Sequence, residues 1–156
     1  MTNFDLPRRP RRLRRNASIR DMVKETRLQK DDLVMPIFIT AEMGVKKEIS
    51  SMPGIFQYSL DRVDEELEVL QENGVNKVLL FGIPAQKDDV GSDTWHDHGI
   101  IQNAIRHVRV NYPDFFIITD VCFCEYTSHG HCGVVASDGE LLNDPTLLNL
   151  QKQVVS

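Results

Sequence analysis

The sequence predicts an α/β fold built around a parallel sheet, of either the (β/α)8-barrel or the doubly wound kind. Short apolar runs alternate with longer segments of helical periodicity, in the order strand, helix, strand, helix, strand, helix. The length of 156 residues suits one domain, and 41% apolar with 26% charged residues is ordinary for a globular protein. The sequence contains no glycine-rich phosphate loop, Walker motif or internal repeat.

The first predicted strand follows a short helix near the N-terminus. Ser18, with Asp21 three residues later, predicts the start of that helix as a capping box. Residues 33–40 (LVMPIFIT) form a short apolar run that predicts a buried strand. Pro36 inside the run indicates an edge, a bulge or irregular pairing. Residues 42–59 are predicted to form a loop with a tight Met-Pro-Gly turn.

The clearest helix occupies residues 60–74, with Ser59 as its predicted cap and an Asn-Gly pair at its end. Its apolar stripe consists of Leu60, Val63, Leu67 and Leu70. The second strand is predicted at residues 77–84, and a polar loop follows at 85–98.

The last third of the chain repeats this alternation. A helix begins at residue 100 and is stopped by Pro113, and the third strand is predicted at 115–123. Residues 134–142 suggest a hairpin that turns at an Asp-Gly pair. Asp144 is the predicted cap of a final helix, with Pro145 at its first position. Since three strands make a small sheet with exposed edges, we expect the chain to be the first part of something longer.

A basic arm precedes an acidic body. Residues 1–20 hold seven arginines and one acid, Asp5, which leaves 11 basic and 22 acidic side chains for the other 136 residues. Such an arm admits three interpretations: a nucleic-acid patch, a transit peptide, or an extended arm docked on an acidic surface of its own or a neighbouring subunit. We favour the docked arm, because no aromatic residues are interleaved for base stacking and the acidic body repels a polyanion.

The longest apolar runs are far too short to span a bilayer, and no apolar signal-peptide core follows the N-terminus. We therefore expect a cytoplasmic protein with no membrane and no nucleic-acid partner. In a reducing cytosol, an odd and clustered set of three cysteines indicates a metal or thiol role and argues against a disulfide framework.

All three cysteines and two of the five histidines fall in residues 120–133, DVCFCEYTSHGHCG. Cys122 and Cys124 share a face if the third strand reaches that far, and a loop containing Gly130 returns Cys132. Three thiolates around Zn²⁺ leave a fourth coordination position open, which is typical of catalytic zinc. The stretch follows the carboxyl end of a strand, where barrel active sites are built.

Other interpretations of this stretch stay open. The cysteines could be small buried hydrophobic residues or a redox pair, although C-x-C differs from the C-x-x-C spacing of thioredoxin-like motifs. His129 and His131 could be ligands or could support the ligands through hydrogen bonds. Asp120 could orient an amine or a protonated base, or it could simply hydrogen-bond the adjacent loop.

The chain resembles the porphobilinogen synthase (5-aminolevulinate dehydratase) family over essentially its whole length. The resemblance rests on RPRRLRRNASIRDMVKET, LVMPIFI, MPGIFQYSLD, VLLFGIP and above all TDVCFCEYTSHGHCG. It implies a (β/α)8 TIM barrel, of which residues 18–156 would be the first three strand–helix units. It also implies that residues 1–17 form an arm that wraps a neighbouring subunit in a homo-oligomer, commonly an octamer.

The resemblance further implies condensation of two 5-aminolevulinate molecules to porphobilinogen, with loss of two waters, in tetrapyrrole (haem) biosynthesis. Cys122, Cys124 and Cys132 would be the ligands of a catalytic Zn²⁺, with Mg²⁺ as an additional family ion, and Asp120 would line the substrate site. The family's Schiff-base lysines lie beyond residue 156, and none of the seven lysines present stands in a family catalytic motif. The chain alone is therefore predicted to be inactive, and the alternative is a non-catalytic zinc-binding module.

Overall fold

A computed structural model describes residues 11–156, so the first ten residues of the predicted arm lie outside the described part. The chain divides into two compact units, the first ending at Asp32 and the second beginning at Leu33. In the first unit, helix α1 (Ala17–Met22) lies between two 3₁₀ turns, and none of the described residues is buried. The division between arm and body at residues 17 and 18 stays a prediction.

The cap of α1 differs from the prediction. Asn16 has an extended backbone, and its side-chain oxygen accepts a hydrogen bond from the backbone N–H of Ile19 at 2.9 Å. Ser18 lies inside the helix and cannot cap it. Asn and Ser are comparably good caps, so the choice is made by which residue has the non-helical backbone.

The second unit is built on a five-stranded sheet in the order β2-β3-β1-β4-β5. Its strands are β1 (Met35–Thr40), β2 (Lys46–Glu48), β3 (Phe56–Ser59), β4 (Lys77–Ile83) and β5 (Phe116–Thr119). β3, β1, β4 and β5 are parallel, and β2 pairs antiparallel with β3. The three predicted strands are confirmed. β2 and β3 were missed, because their short, half-polar sequence lacks the apolar run of a buried strand.

Strand β1 lies inside the sheet and pairs with β4 along its whole length. Its pairing with β3 begins only at Phe38. Pro36 therefore lies where β1 has a neighbour on one side alone, and its missing N–H costs no ladder hydrogen bond there. This is the irregular pairing that the proline indicated.

Helices α2 (Asp64–Glu72) and α3 (Ile100–Asn111) contribute buried apolar residues to the core together with one face of the sheet. Burial alternates strictly along β4, with Val78 and Leu80 in the core. The opposite face carries Phe38 and Phe81, whose rings stack at 5.1 Å but remain only half-buried. The sheet is therefore well covered on one face only.

Two further predictions about helix ends are corrected. Ser59 lies in β3, where its hydroxyl accepts a hydrogen bond from the Val45 N–H, so it does not cap α2. Helix α4 (Asn143–Val155) begins one residue before Asp144, which places Asp144 and Pro145 within its first turn. The physical reason is that the predicted hairpin, β6 (Val134–Val135) with β7 (Leu141–Leu142), leads directly into the helix.

No residue of α4 is buried, although the helix carries several large apolar side chains. The exposed ones are Leu147, Leu148, Val154 and Val155. The outer strand β5 likewise exposes Phe116, at 64%. These surfaces are apolar and have no cover within the described residues.

Truncation of Leu80, which is 1% exposed at the centre of β4, tests this assignment of the core. Leu80→Ala should lower the free energy of unfolding by about 2–5 kcal/mol, because it removes buried methyl groups and leaves a cavity. The matched control is Val110→Ala on α3, where the side chain is 78% exposed and the change should stay within about 0.5 kcal/mol. Equal urea midpoints for the two variants would contradict the assignment.

Candidate metal centre

The candidate site lies at the carboxyl end of β5, as the sequence predicted. The strand ends at Thr119, and Asp120 then donates its backbone N–H to the carbonyl of Leu80 on β4. Residues 120–133, called the cysteine loop below, lead from this point to the hairpin. Asp120 is half-buried and lines a cavity of about 170 Å³ together with Tyr126 and Gln153.

The structure brings the three cysteines together. The Sγ atoms of Cys122, Cys124 and Cys132 all lie within 4.8 Å of one another. Within residues 11–156 this is the one group of three or more His, Cys, Asp or Glu side chains close enough to hold a metal ion. A set of three converging sulfur atoms is the kind of donor set that thiophilic metals prefer.

The way in which the cysteines converge differs from the prediction. The third strand ends at Thr119, not at residue 123, so Cys122 and Cys124 do not share a strand face. Instead, the carbonyl of Phe123 accepts hydrogen bonds from the N–H groups of Tyr126 and Thr127, which folds the chain into a turn. Within this turn the sulfurs of Cys122 and Cys124 lie 3.3 Å apart.

The structure also joins Cys122 and Cys132 in a disulfide and leaves Cys124 free, whereas the sequence analysis expected three free thiols. The difference follows from the convergence itself, because the two Cα atoms are 6.0 Å apart, within the usual disulfide range. A disulfide removes two of the three thiolates that a metal needs. Only the reduced form of this group fits a metal ion.

Buried side chains attach the beginning of the cysteine loop to the core. Phe123 is buried and contacts the ring of Trp95 edge-on, at 6.4 Å between centroids. Tyr126 is also buried, and a Cβ atom at Gly82 would lie 2.2 Å from its hydroxyl oxygen. Gly82 therefore lets the tyrosine approach the backbone of β4. Burial, reinforced by the charges of Asp93 and Asp120, raises the pKa of Tyr126, so its hydroxyl stays protonated at neutral pH.

The two histidines of the loop form hydrogen bonds, His129 through its ring and His131 through its backbone. Nε2 of His129 donates to the carbonyl of Asp89 at 3.1 Å, and Nδ1 of His129 accepts from the N–H of His131 at 3.1 Å. The hydroxyl of Thr127 donates to the carbonyl of His131 at 2.9 Å. These bonds fit the supporting role that the sequence left open, since both ring nitrogens of His129 are already engaged.

Sequence reasoning missed Asp88 and Asp89, which lie in residues 85–91, called the β4 loop below. The carboxylate of Asp88 accepts hydrogen bonds from the N–H groups of Val90 and Ser92, and from the Ser92 hydroxyl. The carboxylate of Asp89 accepts a hydrogen bond from the hydroxyl of Ser128 in the cysteine loop. One signal could have found them: the carboxyl ends of neighbouring parallel strands meet at one edge of a sheet, so loops that follow such strands lie together.

Similarity to known proteins identifies the family of the chain. The model of the family "Delta-aminolevulinic acid dehydratase" matches residues 7–156. The chain belongs to the delta-aminolevulinic acid dehydratase family. The resemblance that the sequence motifs indicated is thereby confirmed.

Curated members of the delta-aminolevulinic acid dehydratase family include two similar bacterial proteins. The chain is 50% identical over 149 residues to the Halalkalibacterium halodurans protein, covering 96% of this chain and 45% of that protein. It is 47% identical over 150 residues to the Ruminiclostridium josui protein, covering 96% of this chain and 72% of that one. The chain therefore spans about half the length of the first of these relatives.

A solved structure of the family shows the same fold. It is delta-aminolevulinic acid dehydratase (porphobilinogen synthase) from Toxoplasma gondii ME49 in complex with the reaction product porphobilinogen. The TM-score is 0.88 at 28% sequence identity, and the match covers 97% of this chain and 44% of that chain. The predicted fold, a partial TIM barrel of mostly parallel strands, is confirmed. Among the described residues, no helix is both long and apolar enough to cross a membrane.

The β4 loop should respond to acid through Asp88. Burial alone would raise the pKa of this carboxyl, but the hydrogen bonds from Ser92, Val90 and Gly91 outweigh it and hold the pKa below its usual range. A carboxyl with a depressed pKa stabilises the fold fully above its ordinary value, near 3.9, and loses that contribution as the pH falls through the lower folded value. The fluorescence of Trp95, the single tryptophan, should therefore change below about pH 4.

The acid titration has a matched pair of variants. Asp88→Asn should remove this component of the fluorescence change, because the titrating group is gone. Glu72→Gln, at an exposed position at the end of α2, should leave it unchanged. Identical acid titrations for the wild type and Asp88→Asn would show that Asp88 is not the group responsible.

Proposed function

We propose that the chain is part of a porphobilinogen synthase, a lyase that condenses two 5-aminolevulinate molecules to porphobilinogen with loss of two waters in haem biosynthesis. The supporting observation is the convergence of three cysteine sulfurs in the loop that begins at Asp120, at the carboxyl end of a barrel strand, in a chain of this family. Active sites of (β/α)8 enzymes are built at that edge. The proposal includes a cytoplasmic location, and assembly into a homo-oligomer, commonly an octamer, through an arm at residues 1–17.

We assign Zn²⁺ to the reduced cysteine trio. Soft thiolates select zinc, whereas Mg²⁺ prefers oxygen ligands, so the trio does not fit magnesium. An additional Mg²⁺ would need ligands other than these, and residues 11–156 contain no other cluster of three acidic or imidazole side chains near enough together. Bound zinc supplies a Lewis acid that polarises a carbonyl or hydroxyl oxygen of the substrate.

The chain's own side chains have separate tasks in this proposal. Asp120, in the wall of the 170 Å³ cavity, orients the amino group of a substrate through its carboxylate. Tyr126 remains protonated beside it and keeps the cavity wall in place against β4. The cysteine loop holds the thiolates at the same edge of the sheet.

The described lysines do not suit Schiff-base chemistry. A lysine that attacks a ketone needs a lowered pKa, which burial or a nearby cation provides. None of the seven is buried. Lys77 is half-buried but begins β4, at the sheet edge opposite the cysteines. We therefore propose that the carbonyl-binding lysines belong to the part of the longer relatives that this chain does not match, and that the chain alone is inactive.

A non-catalytic zinc-binding module is the second candidate function. It is favoured by the absence of a buried lysine among residues 11–156. A metal site without such a lysine binds an ion but does not form a Schiff base with a ketone. Both candidate functions include the metal centre. They differ because the synthase forms a Schiff base with a substrate ketone and the module does not.

The metal centre can be tested on the chain kept reduced with a phosphine. Co²⁺ should bind with an intense sulfur-to-metal charge-transfer band, because three thiolates enter its coordination sphere. Cys132→Ser should weaken the band and lower metal affinity by at least about tenfold, since one of three ligands is lost. Ser51→Ala, an exposed turn residue, is the control and should bind as the wild type does. A wild-type spectrum without the band would refute the thiolate site.

Carbonyl chemistry can be tested by trapping. The chain is incubated with 5-aminolevulinate and borohydride, which reduces a Schiff base to a stable adduct that mass spectrometry detects. We expect no adduct on this chain and no porphobilinogen, while a full-length relative treated in parallel should give both. A specific adduct on one of the seven lysines would overturn the prediction of inactivity.

A further inference from the structure

The cysteine loop is attached to the sheet unequally at its two ends. Cys122 and Cys124 flank Phe123, which is buried, so their positions are fixed by the core. Residues 128–132, which end at Cys132, are all exposed. In this structure the third sulfur is bonded to Cys122, and the buried Gly133 follows it. In the reduced chain, residues 128–132 have no packed side chain of their own, so hydrogen bonds must hold them.

The β4 loop supplies part of this hydrogen bonding. The backbone N–H of Asp88 donates to the carbonyl of Tyr126 at 3.3 Å, and the N–H of Ser128 donates to the carbonyl of Asp88 at 2.8 Å. Together they form a short parallel bridge between Asp88 and Thr127. This bridge extends the pairing of β4 and β5 beyond the ends of both strands.

Asp89 continues the contact toward Cys132. Its carboxylate accepts a hydrogen bond from the hydroxyl of Ser128 at 2.6 Å, and its carbonyl accepts one from Nε2 of His129 at 3.1 Å. Nδ1 of His129 in turn accepts from the N–H of His131. One tautomer of His129, protonated on Nε2, satisfies both bonds. An unbroken series of hydrogen bonds therefore leads from the backbone carbonyl of Asp89 to the residue that precedes Cys132, while the carboxylate of Asp89 fixes Ser128 at the start of the same segment.

The β4 loop is itself held in place by hydrogen bonds and by a close contact at Gly91. The carboxylate of Asp88 accepts hydrogen bonds from the backbone N–H groups of Val90 and Ser92 at 3.0 Å each. Gly91, with φ of 67°, lies against the cysteine loop, so that a Cβ atom there would be 3.2 Å from Cβ of Tyr126. A residue with a side chain would be strained at this φ and crowded at this contact.

We propose that Asp89 is a positioning residue for the thiol metal centre. Its carboxylate anchors Ser128, the first residue of the exposed segment 128–132, so that in the reduced chain the sulfur of Cys132 stays near those of Cys122 and Cys124 before a metal arrives. The proposal rests on the metal-binding part of the proposed function, and it concerns a residue that contributes no ligand. Residues that orient metal ligands through hydrogen bonds typically change metal affinity by about 10–100-fold when they are removed.

The test is a double-mutant cycle on metal affinity, measured with Co²⁺ on the reduced chain. Asp89→Ala and Ser128→Ala should each lower the affinity by about tenfold. The double variant should bind no more weakly than either single variant, because both remove the same hydrogen bond. Asp89→Asn keeps an acceptor oxygen and should recover most of the affinity. Asp138→Ala, at an exposed position in the hairpin turn, is the control and should bind as the wild type does.

A second readout reports on Cys132 alone. In the metal-loaded chain, alkylation followed by mass spectrometry should show faster modification of Cys132 in Asp89→Ala than in the wild type, with Cys124 little changed. A residue that only supports folding would shift the urea midpoint without this selective effect. Should Asp89→Ala fail to fold, the comparison of Ser128→Ala with Ser128→Thr, which keeps the hydroxyl, decides the question in the same way.

The outcomes separate this proposal from the one on which it rests. Absence of the thiolate band in the wild type refutes the metal centre itself. A normal wild-type band with unchanged affinity in Asp89→Ala refutes the positioning role and leaves the metal centre intact. Additive losses in the double variant likewise refute it, because the two side chains would then act independently.

Discussion

The parallel pairing of β4 with β5 is the constraint on which the site depends. Leu80 lies opposite Thr119 in this register, so the two strands end at the same edge of the sheet. The loops that follow them are therefore brought side by side, although Asp89 and Ser128 are 39 residues apart in the chain. The alternating burial along β4 fixes this register, because a slip of one residue would turn Val78 and Leu80 away from the core.

The convergence of the three cysteines is compatible with two chemical states. The three sulfurs lie within 4.8 Å of one another, so as reduced thiolates they could share a single thiophilic ion, and as an oxidised pair Cys122 and Cys132 form a bond. The fold favours either state because it brings the three sulfurs close together before a metal ion binds or a disulfide forms. It does so with burial at Phe123 and Tyr126, and with hydrogen bonds in the exposed half of the loop.

The described residues form part of a barrel, and several of their apolar surfaces are exposed. One face of the sheet is covered by helices, while the face with Phe38 and Phe81 is only half-buried. The outer strand β5 and helix α4 expose large apolar side chains of the kind that further strand–helix units cover in a closed barrel. We propose that chemistry is divided in the same way, with metal binding in this part and carbonyl trapping in the part that only the longer relatives match.

Local pattern in the sequence determined the strands β1, β4 and β5, the helices between them and the three cysteines of the candidate site, because apolar periodicity and the spacing of cysteines are properties of neighbouring residues. It did not determine β2 and β3, the role of Ser59 in β3, or the end of β5 at Thr119, since short strands and element ends depend on which partners are near. The local pattern likewise could not predict the contact of Asp89 with Ser128. Only the tertiary structure decided these features, because strand order and register bring together groups that no local pattern connects.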